Sequence, residues 1–111
     1  MGSLEKYRDV IRRILMEYVN IPLGRTDLRH YPVFDQENDR YLVIVSGWEG
    51  PRRVHSIVIQ LDIIDGKIWL QCDNTDTVVA DELERAGVSK NEIVLGFKPP
   101  SVRPLTDYAV A

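Results

Sequence analysis

The sequence predicts an α+β fold, with an N-terminal helix and a mainly antiparallel, twisted sheet of about five strands, the second helix coming before the last strand. The predicted strands follow one another instead of alternating with helices. Asp65-Gly66 forms the strongest kind of two-residue hairpin turn and joins two strand-like segments. The chain has 111 residues, 44% of them hydrophobic, which is enough for one core and too little for two. We therefore expect residues 1–111 to form a single domain.

The first predicted element is an amphipathic helix from Leu4 to Asn20. Ser3 is a suitable N-cap, and Pro22 and Gly24 end the helix. Apolar residues recur at spacings of three and four, which places them on one helix face: Leu4, Tyr7, Val10, Ile11, Ile14, Leu15 and Tyr18.

Two strands are predicted next. The segment from Leu28 to Asp35 contains Pro32, which has no backbone N–H to donate and therefore favours an edge strand or a bulge. The segment from Arg40 to Trp48 has apolar residues on both faces. That pattern is typical of a central strand or of one covered on both sides.

The segment from Val54 to Asp73 is predicted to form one β-hairpin whose register follows from the Asp65-Gly66 turn. Its apolar face carries the pairs Ile63–Ile68, Leu61–Leu70 and Ile59–Cys72. Its mostly polar face carries the pairs Asp62–Trp69, Gln60–Gln71 and Val58–Asp73. Strand alternation puts His55 on the apolar face, opposite to Trp69. A slip of one residue would destroy this sorting, so the pattern specifies the register.

The remaining elements are a second helix from Asn74 to Gly87 and a short strand from Ile93 to Phe97. Thr75 or Asp76 can cap this helix, and Gly87 suits the left-handed C′ position. Ser89 and Glu92 have the spacing of a capping box. Three prolines then keep the final segment extended, and an apolar terminus of this kind docks on its own domain or on a partner.

Composition argues against several classes of protein. The net charge is −3 and the pI about 5.3, so the chain lacks the overall basic character of proteins that grip DNA unaided. Cys72 is the one cysteine, which excludes an intramolecular disulfide, and we expect it to be a small core residue. No segment is apolar enough for a membrane span or a signal peptide, which predicts a cytoplasmic location.

No phosphate-binding glycine loop, nucleophile elbow or zinc-binding HExxH motif is present, and we predict no cofactor, metal site or catalytic residue. The alternative is a small enzyme or nuclease cofactor with a polar site at His55, Arg53 and Asp73. Strand alternation weighs against a site at which His55 meets the polar face. For His30, a structural role is expected.

A contact surface is the stronger prediction. Trp69, Gln60, Gln71 and Asp62 share the polar face, and the proline-stiffened tail adds Arg103 and Tyr108. Trp, Tyr and Arg dominate the energy of protein interfaces, so this set predicts a homodimer interface or a partner-binding surface. The alternative is that the second helix or the tail covers Trp69 within one chain.

Across nearly its whole length the chain resembles the XisI family, the cyanobacterial fdxN element excision controlling factors. The matching residues are Tyr7-Arg8, Gly47-Trp48, Arg52 to His55, Asp62-Ile63, Asp65 to Trp69, Gln71, Asp73, Glu82-Leu83, Ala86-Gly87, Ile93 to Leu95, Phe97, Pro99-Pro100, Val102 to Pro104 and Ala109 to Ala111. The resemblance implies an accessory factor for excising a DNA element. It would act with an endonuclease-like companion, an XisH-like protein, and a separate recombinase, touching DNA only indirectly. The family supplies no catalytic residues to carry over.

Overall fold

The computed structural model describes residues 2–24 and 27–111, without the side chains of residues 2 and 3. The described chain forms two α-helices, α1 (Gly2–Val19) and α2 (Val79–Arg85), and five strands: β1 (Arg29–Asp35), β2 (Arg40–Glu49), β3 (Arg52–Ile64), β4 (Lys67–Asp73) and β5 (Ile93–Leu95). Short 3₁₀ turns cover Lys90–Glu92 and Arg103–Leu105. The cap predicted at Ser3 lies outside the described side chains and stays a prediction.

The strands form one sheet in sequence order, from β1 to β5. The first three pairings are antiparallel, whereas β5 pairs parallel with β4 because α2 carries the chain back across the sheet between them. The predicted α+β class, with a mainly antiparallel sheet and the second helix before the last strand, is confirmed.

Both helices pack on one face of the sheet, which we call the helix face. The predicted stripe of α1 is buried there at Tyr7, Val10, Ile11, Ile14 and Leu15, and α2 buries Val79, Ala80 and Leu83. From the sheet, the core receives mainly Tyr41, Val43, Val58, Ile59, Leu61, Ile63, Ile68, Leu70, Ile93 and Leu95. No helix of the described chain packs on the opposite side of the sheet, the outer face.

The predictions for the first two strands are confirmed. Because β1 pairs only with β2, Pro32 lies in an edge strand, where a missing N–H costs no ladder hydrogen bond. β2 lies between β1 and β3 and is therefore internal to the sheet.

The hairpin register is confirmed near its turn and is wrong beyond Leu61. Asp65 and Gly66 have φ values of 50° and 78°, as a type I′ turn requires. A β-bulge then shifts the pairing, so that Gln60 opposes Cys72 and Ile59 opposes Asp73. The predicted pairs Gln60–Gln71, Ile59–Cys72 and Val58–Asp73 do not form.

The bulge also corrects the prediction for Cys72, which is half-buried outside the core cluster. Its Sγ lies 3.7 Å from the Ile57 carbonyl oxygen and 3.8 Å from that of Val58. Burial and the charge of Asp73 raise the pKa of the Cys72 thiol, which disfavours the reactive thiolate.

A second bulge changes the face of the sheet to which the side chains at the start of β3 project. Val43 pairs with Ile59 but Ile44 pairs with Ile57, so Val58 is an extra residue in β3. Val58 and Ile59 are both buried in the core, and the alternation reverses on either side of them. His55 therefore shares the outer face with Trp69, and the prediction of opposite faces is wrong.

The second helix is shorter than predicted because its start is capped from a distance. Neither Thr75 nor Asp76 caps it. Instead, Asp73 Oδ2 accepts a hydrogen bond from the Val79 backbone N–H at 2.9 Å, and Asp73 Oδ1 accepts one from the Thr75 N–H at 3.1 Å. The other end is as predicted, with Gly87 following the helix at φ 100°.

The capping box at Ser89 and Glu92 is confirmed, and the last strand ends at Leu95 instead of Phe97. The tail is not extended as predicted, because residues 99–105 form hydrogen-bonded turns and a 3₁₀ turn. The tail docks on its own domain. The Ala109 N–H donates to the Ile93 carbonyl oxygen at 2.9 Å, and Lys67 Nζ donates to the Ala111 carbonyl oxygen at 2.7 Å.

Candidate protein-binding surface on the outer sheet face

The outer face presents its side chains in five rows that run across the strands, because residues paired between antiparallel strands project on the same side. Numbered from the β2–β3 turn, the rows are: row one, Trp48 and Arg53; row two, Arg29, Ser46 and His55; row three, Tyr31, Ile44 and Ile57; row four, Val33, Leu42, Gln60 and Cys72; row five, Asp35, Arg40, Asp62 and Trp69.

The middle of the outer face is apolar and open. Tyr31 is 51% exposed, Val33 42% and Ile57 38%, and Leu42 and Ile44 lie half-buried between them. A sheet face that meets water usually carries polar side chains at these positions. Contiguous exposed apolar surface of this kind marks interaction sites.

Row one and row two hold a small polar cluster around the Ser46 hydroxyl. His55 Nδ1 lies 3.0 Å from Ser46 Oγ, and Arg53 Nη2 donates to the same oxygen at 3.2 Å. The Arg53 guanidinium also lies 5.5 Å from the centroid of the exposed Trp48 ring. The cluster is cationic and aromatic, a combination that suits contact with an anionic or aromatic partner group.

Asp73 does not join His55 and Arg53. It opposes the core residue Ile59 and therefore projects to the helix face, where both of its carboxylate oxygens cap the approach to α2. The three candidate catalytic residues thus lie on two different faces of the sheet, and this arrangement gives no support to a shared acid–base site.

Trp69 is covered in part by the tail of its own chain. The Arg103 guanidinium lies 5.0 Å from the Trp69 ring centroid, held by a hydrogen bond from its Nε to the Lys98 carbonyl oxygen at 3.0 Å. Gly96 packs so closely on Trp69 and Gln71 that a Cβ atom would meet both side chains. The tail thereby presents a preformed arginine–tryptophan stack that remains half-exposed.

Asp62 is only 7% exposed, although it lies on the outer face. Its carboxylate accepts hydrogen bonds from the amide of Gln60 at 3.2 and 3.3 Å and from that of Gln71 at 3.3 Å. The structure thus brings together Gln60, Asp62, Trp69, Gln71 and Arg103, five of the six predicted contact residues.

Tyr108, the sixth, lies apart from this set and packs against the core. Its hydroxyl donates to Glu84 Oε2 at 2.7 Å, and burial together with that hydrogen bond raises the pKa of Tyr108 to about 12. His30 also packs inside, with its ring 4.9 Å from that of Tyr18, and burial lowers its pKa.

Several exposed residues were not predicted as contacts. Leu105 is 84% exposed and Phe97 50%, and they join Tyr31, Val33, Trp48 and Ile57. The one signal in the sequence was the apolar character of both faces of β2, which is typical of a central strand or of one covered on both sides. Only one of these faces is covered within the chain.

Two further features of the described chain bear on function. The described residues contain no group of three His, Cys, Asp or Glu side chains placed to hold a metal ion. Within the same part of the chain, no helix has the length and hydropathy needed to cross a membrane.

Comparison with known proteins gives one family. The family model described as XisI protein matches residues 1–110. A crystal structure of a XisI-like protein from Anabaena variabilis ATCC 29413 is 39% identical, with a TM-score of 0.91 over 97% of this chain and 99% of that one.

A second crystal structure is that of the fdxN element excision controlling factor XisI from the same organism. It is 35% identical, with a TM-score of 0.85 over 98% of this chain and 99% of that chain. No curated protein matches the sequence. The match to the family model and the two full-length structural matches lead to one conclusion: the chain belongs to the XisI family.

Proposed function

We propose that this protein is an accessory factor in the programmed excision of a DNA element, and that it acts by binding protein partners. The observation that carries the proposal is its 35% identity, over 98% of the chain, to a protein named as an excision controlling factor. The partner we propose is an XisH-like, endonuclease-like protein that works beside a separate recombinase. Such a factor works next to chromosomal DNA, so a cytoplasmic location follows from the proposal.

The surface we propose for this partner is the tail surface, formed by Trp69, Phe97, Arg103 and Leu105. Exposed apolar side chains on an ordered backbone are typical of binding sites, because little conformational entropy is lost when they are covered. Pro99, Pro100 and Pro104 restrict the backbone of this segment, and Arg103 is already held over Trp69. Tryptophan and arginine are also the residue types most enriched among interface hot spots.

The charge of the chain supports a role through a protein partner. With a net charge of −3, it does not need to neutralise DNA phosphates itself if its companion holds the DNA. Lys98 and Arg103 make the tail surface locally cationic, and Lys98 Nζ lies 5.7 Å from the Phe97 ring centroid. We therefore expect the surface to receive an acidic or aromatic segment of the partner.

The test is calorimetric titration of the purified chain with an XisH-like protein from the same organism. We expect Arg103→Ala and Trp69→Ala each to weaken association by about 2 kcal/mol, or about 30-fold. Leu105→Asp should weaken it at least as much, since it puts a charge into an apolar contact.

Two matched variants control for folding and charge. Arg12→Ala removes an arginine from α1, where it pairs with Asp9, and Val78→Asp puts a carboxylate at the exposed N-cap of α2. Both should leave association unchanged. Tight binding that is unchanged by Arg103→Ala and Leu105→Asp would show that the partner uses another surface. If no binding is detected at high micromolar concentration, the XisH-like protein is not the partner.

A further inference from the structure

We propose that the outer face joins two copies of this chain, related by a two-fold axis that runs along row three, through Tyr31, Ile44 and Ile57. The contact uses strands β1 to β3, at the apolar middle of the outer face and its two ends. It leaves Phe97, Arg103 and Leu105 of the tail surface free and does not depend on the XisH-like partner.

The rows are arranged symmetrically about this axis. Two rows lie on each side of row three, so a half-turn about row three stacks β3 on β3 of the second copy and β2 on β2. Row one then faces row five of the second copy, and row two faces row four. Tyr31, Ile44 and Ile57 meet their own counterparts, which covers the apolar side chains that the monomer leaves open.

Charge selects this arrangement over the other symmetric one. With the axis along row three, Arg53 of each copy faces Asp62 of the other, and Trp48 faces Arg40. An axis parallel to the strands would leave every row facing itself, so that Arg53 in row one would not meet Asp62 in row five of the other copy. Opposite charges across an interface fix its register, whereas like charges are costly.

Among the residues that the structure describes, neither member of the proposed ion pair has a counter-charge. Arg53 donates there to two neutral oxygens, Ser46 Oγ at 3.2 Å and the Gly47 carbonyl oxygen at 3.3 Å. Asp62 is 93% buried under two amides, and the described residues supply no ion pair to it. A buried carboxylate without a counter-charge is costly, and Arg53 of the second copy would supply the missing cation.

The area of the outer face lies between that of a lattice contact and that of a standard interface. Five rows spaced about 6.6 Å apart and three strands about 4.8 Å apart, with their side chains, cover roughly 30 Å by 15 Å. That flat area of about 450 Å² exceeds the roughly 400 Å² per partner of most lattice contacts and is about half of the ~800 Å² per partner of standard complexes, so the predicted dimer belongs to the weaker, reversible class.

The first experiment uses sedimentation equilibrium of the full chain and a matched pair of charge reversals. Arg53 and its neighbour Arg52 point to opposite sides of β3, since Arg53 pairs with Trp48 and Arg52 with Glu49. We expect wild type to be a dimer whose dissociation constant rises at least ~100-fold for Arg53→Glu, since two ion pairs become repulsive contacts. Arg52→Glu should stay within about threefold of wild type.

The second experiment tests the position of the axis. In a Cys72→Ser background, Ile57→Cys should be joined to its own counterpart by a short bismaleimide, because the axis brings residue 57 of both copies together. Cysteine placed at Arg52 should not react in this way. Both substitutions lie at exposed positions, so circular dichroism melts should show folded protein.

Three outcomes would overturn the inference. The first is a wild-type chain that stays monomeric at about 100 µM. The second is a dimer whose dissociation constant is unchanged by Arg53→Glu, and the third is crosslinking through residue 52 instead of residue 57. If the chain is monomeric and Arg53→Glu weakens binding of the XisH-like protein, the outer face belongs to that partner.

Discussion

Asp39 shows how a single carboxylate fixes the position of a whole helix. It accepts hydrogen bonds from Arg8 Nε at 2.8 Å and Nη2 at 3.1 Å, and from the Tyr41 hydroxyl at 2.9 Å. Its φ of 54° is left-handed, a conformation that aspartate and asparagine tolerate better than most residues. The Arg8 and Asp39 side chains are largely buried, so their pair ties α1 to the β1–β2 turn.

This pair should make stability depend on pH in the acid range. The hydrogen bond from Arg8 holds the pKa of Asp39 below its usual value. The stabilisation is therefore complete above the unfolded pKa of about 3.9 and is lost as the pH falls through the lower folded value. Asp39→Asn keeps the left-handed turn but should lower the free energy of unfolding by about 1–3 kcal/mol at pH 7. When urea melts are recorded at several pH values, the fall in stability at acid pH (the acid limb) should be less steep for this variant than for wild type.

The exposed Glu37→Gln in the same turn is the matched control, and it should leave the acid limb unchanged. An acid limb of wild-type steepness in Asp39→Asn would show that other carboxylates control the acid sensitivity.

At the scale of the elements, the two β-bulges decide which side chains meet. The bulge at Val58 reverses the side to which the side chains in the first half of β3 project, so that Arg53, His55 and Ile57 lie on the outer face. The bulge at Gln71 keeps this residue beside Trp69, where its amide reaches Asp62. Because of these bulges, β3 contributes apolar side chains to the core on the helix face and further contact residues to the outer face.

Because of the bulge at Val58, we expect three truncations to alanine in β3 to lower stability by different amounts. Ile59→Ala and Leu61→Ala remove side chains that are fully buried and should each cost about 2–5 kcal/mol through lost burial and a cavity. Ile57→Ala is the matched control, two residues from Ile59 but on the outer face. It should cost less than about 1 kcal/mol in the monomer.

The truncations are made in the Arg53→Glu background and measured by denaturant melts. Because we expect this background to be monomeric, dimer formation then does not contribute to the measured stability. Equal losses for Ile57 and Ile59 would mean that β3 alternates regularly and that the bulge is absent in solution.

At the scale of the whole molecule, charge is unevenly spread over an acidic chain. Arg29, Arg53 and His55 lie at one end of the outer face, in rows one and two, and none of the described members of these two rows is a carboxylate. The rest of the surface brings the net charge to −3. A patch of this size offers a few phosphate contacts and no extended basic groove.

We therefore expect the purified chain to bind duplex DNA weakly and without sequence preference. Any affinity should fall steeply with salt, with a log–log slope near −0.9 for each phosphate contact, and Arg53→Glu should reduce it further. Fluorescence anisotropy between about 50 and 200 mM salt measures this. A tight, sequence-specific complex at physiological salt would contradict the prediction and point to direct DNA recognition.

The sequence by itself determined the order and type of the elements and the buried stripe of α1. It also determined the Asp65-Gly66 turn with the pairs Ile63–Ile68, Asp62–Trp69 and Leu61–Leu70, the edge position of Pro32 and the capping box at Ser89. Each of these rests on local rules: helical periodicity, φ preferences at a turn, or a side chain that bonds to backbone within three residues.

Only the tertiary structure decided where alternation breaks and what the tail covers. A bulge inserts one residue into a strand whose sequence remains apolar, and the pattern around Val58 fits either face. Asp73 caps a helix that starts six residues later, and Arg103 reaches Trp69 across 34 positions of sequence. Such contacts depend on long-range packing, which is why the outer face emerged only from the folded chain.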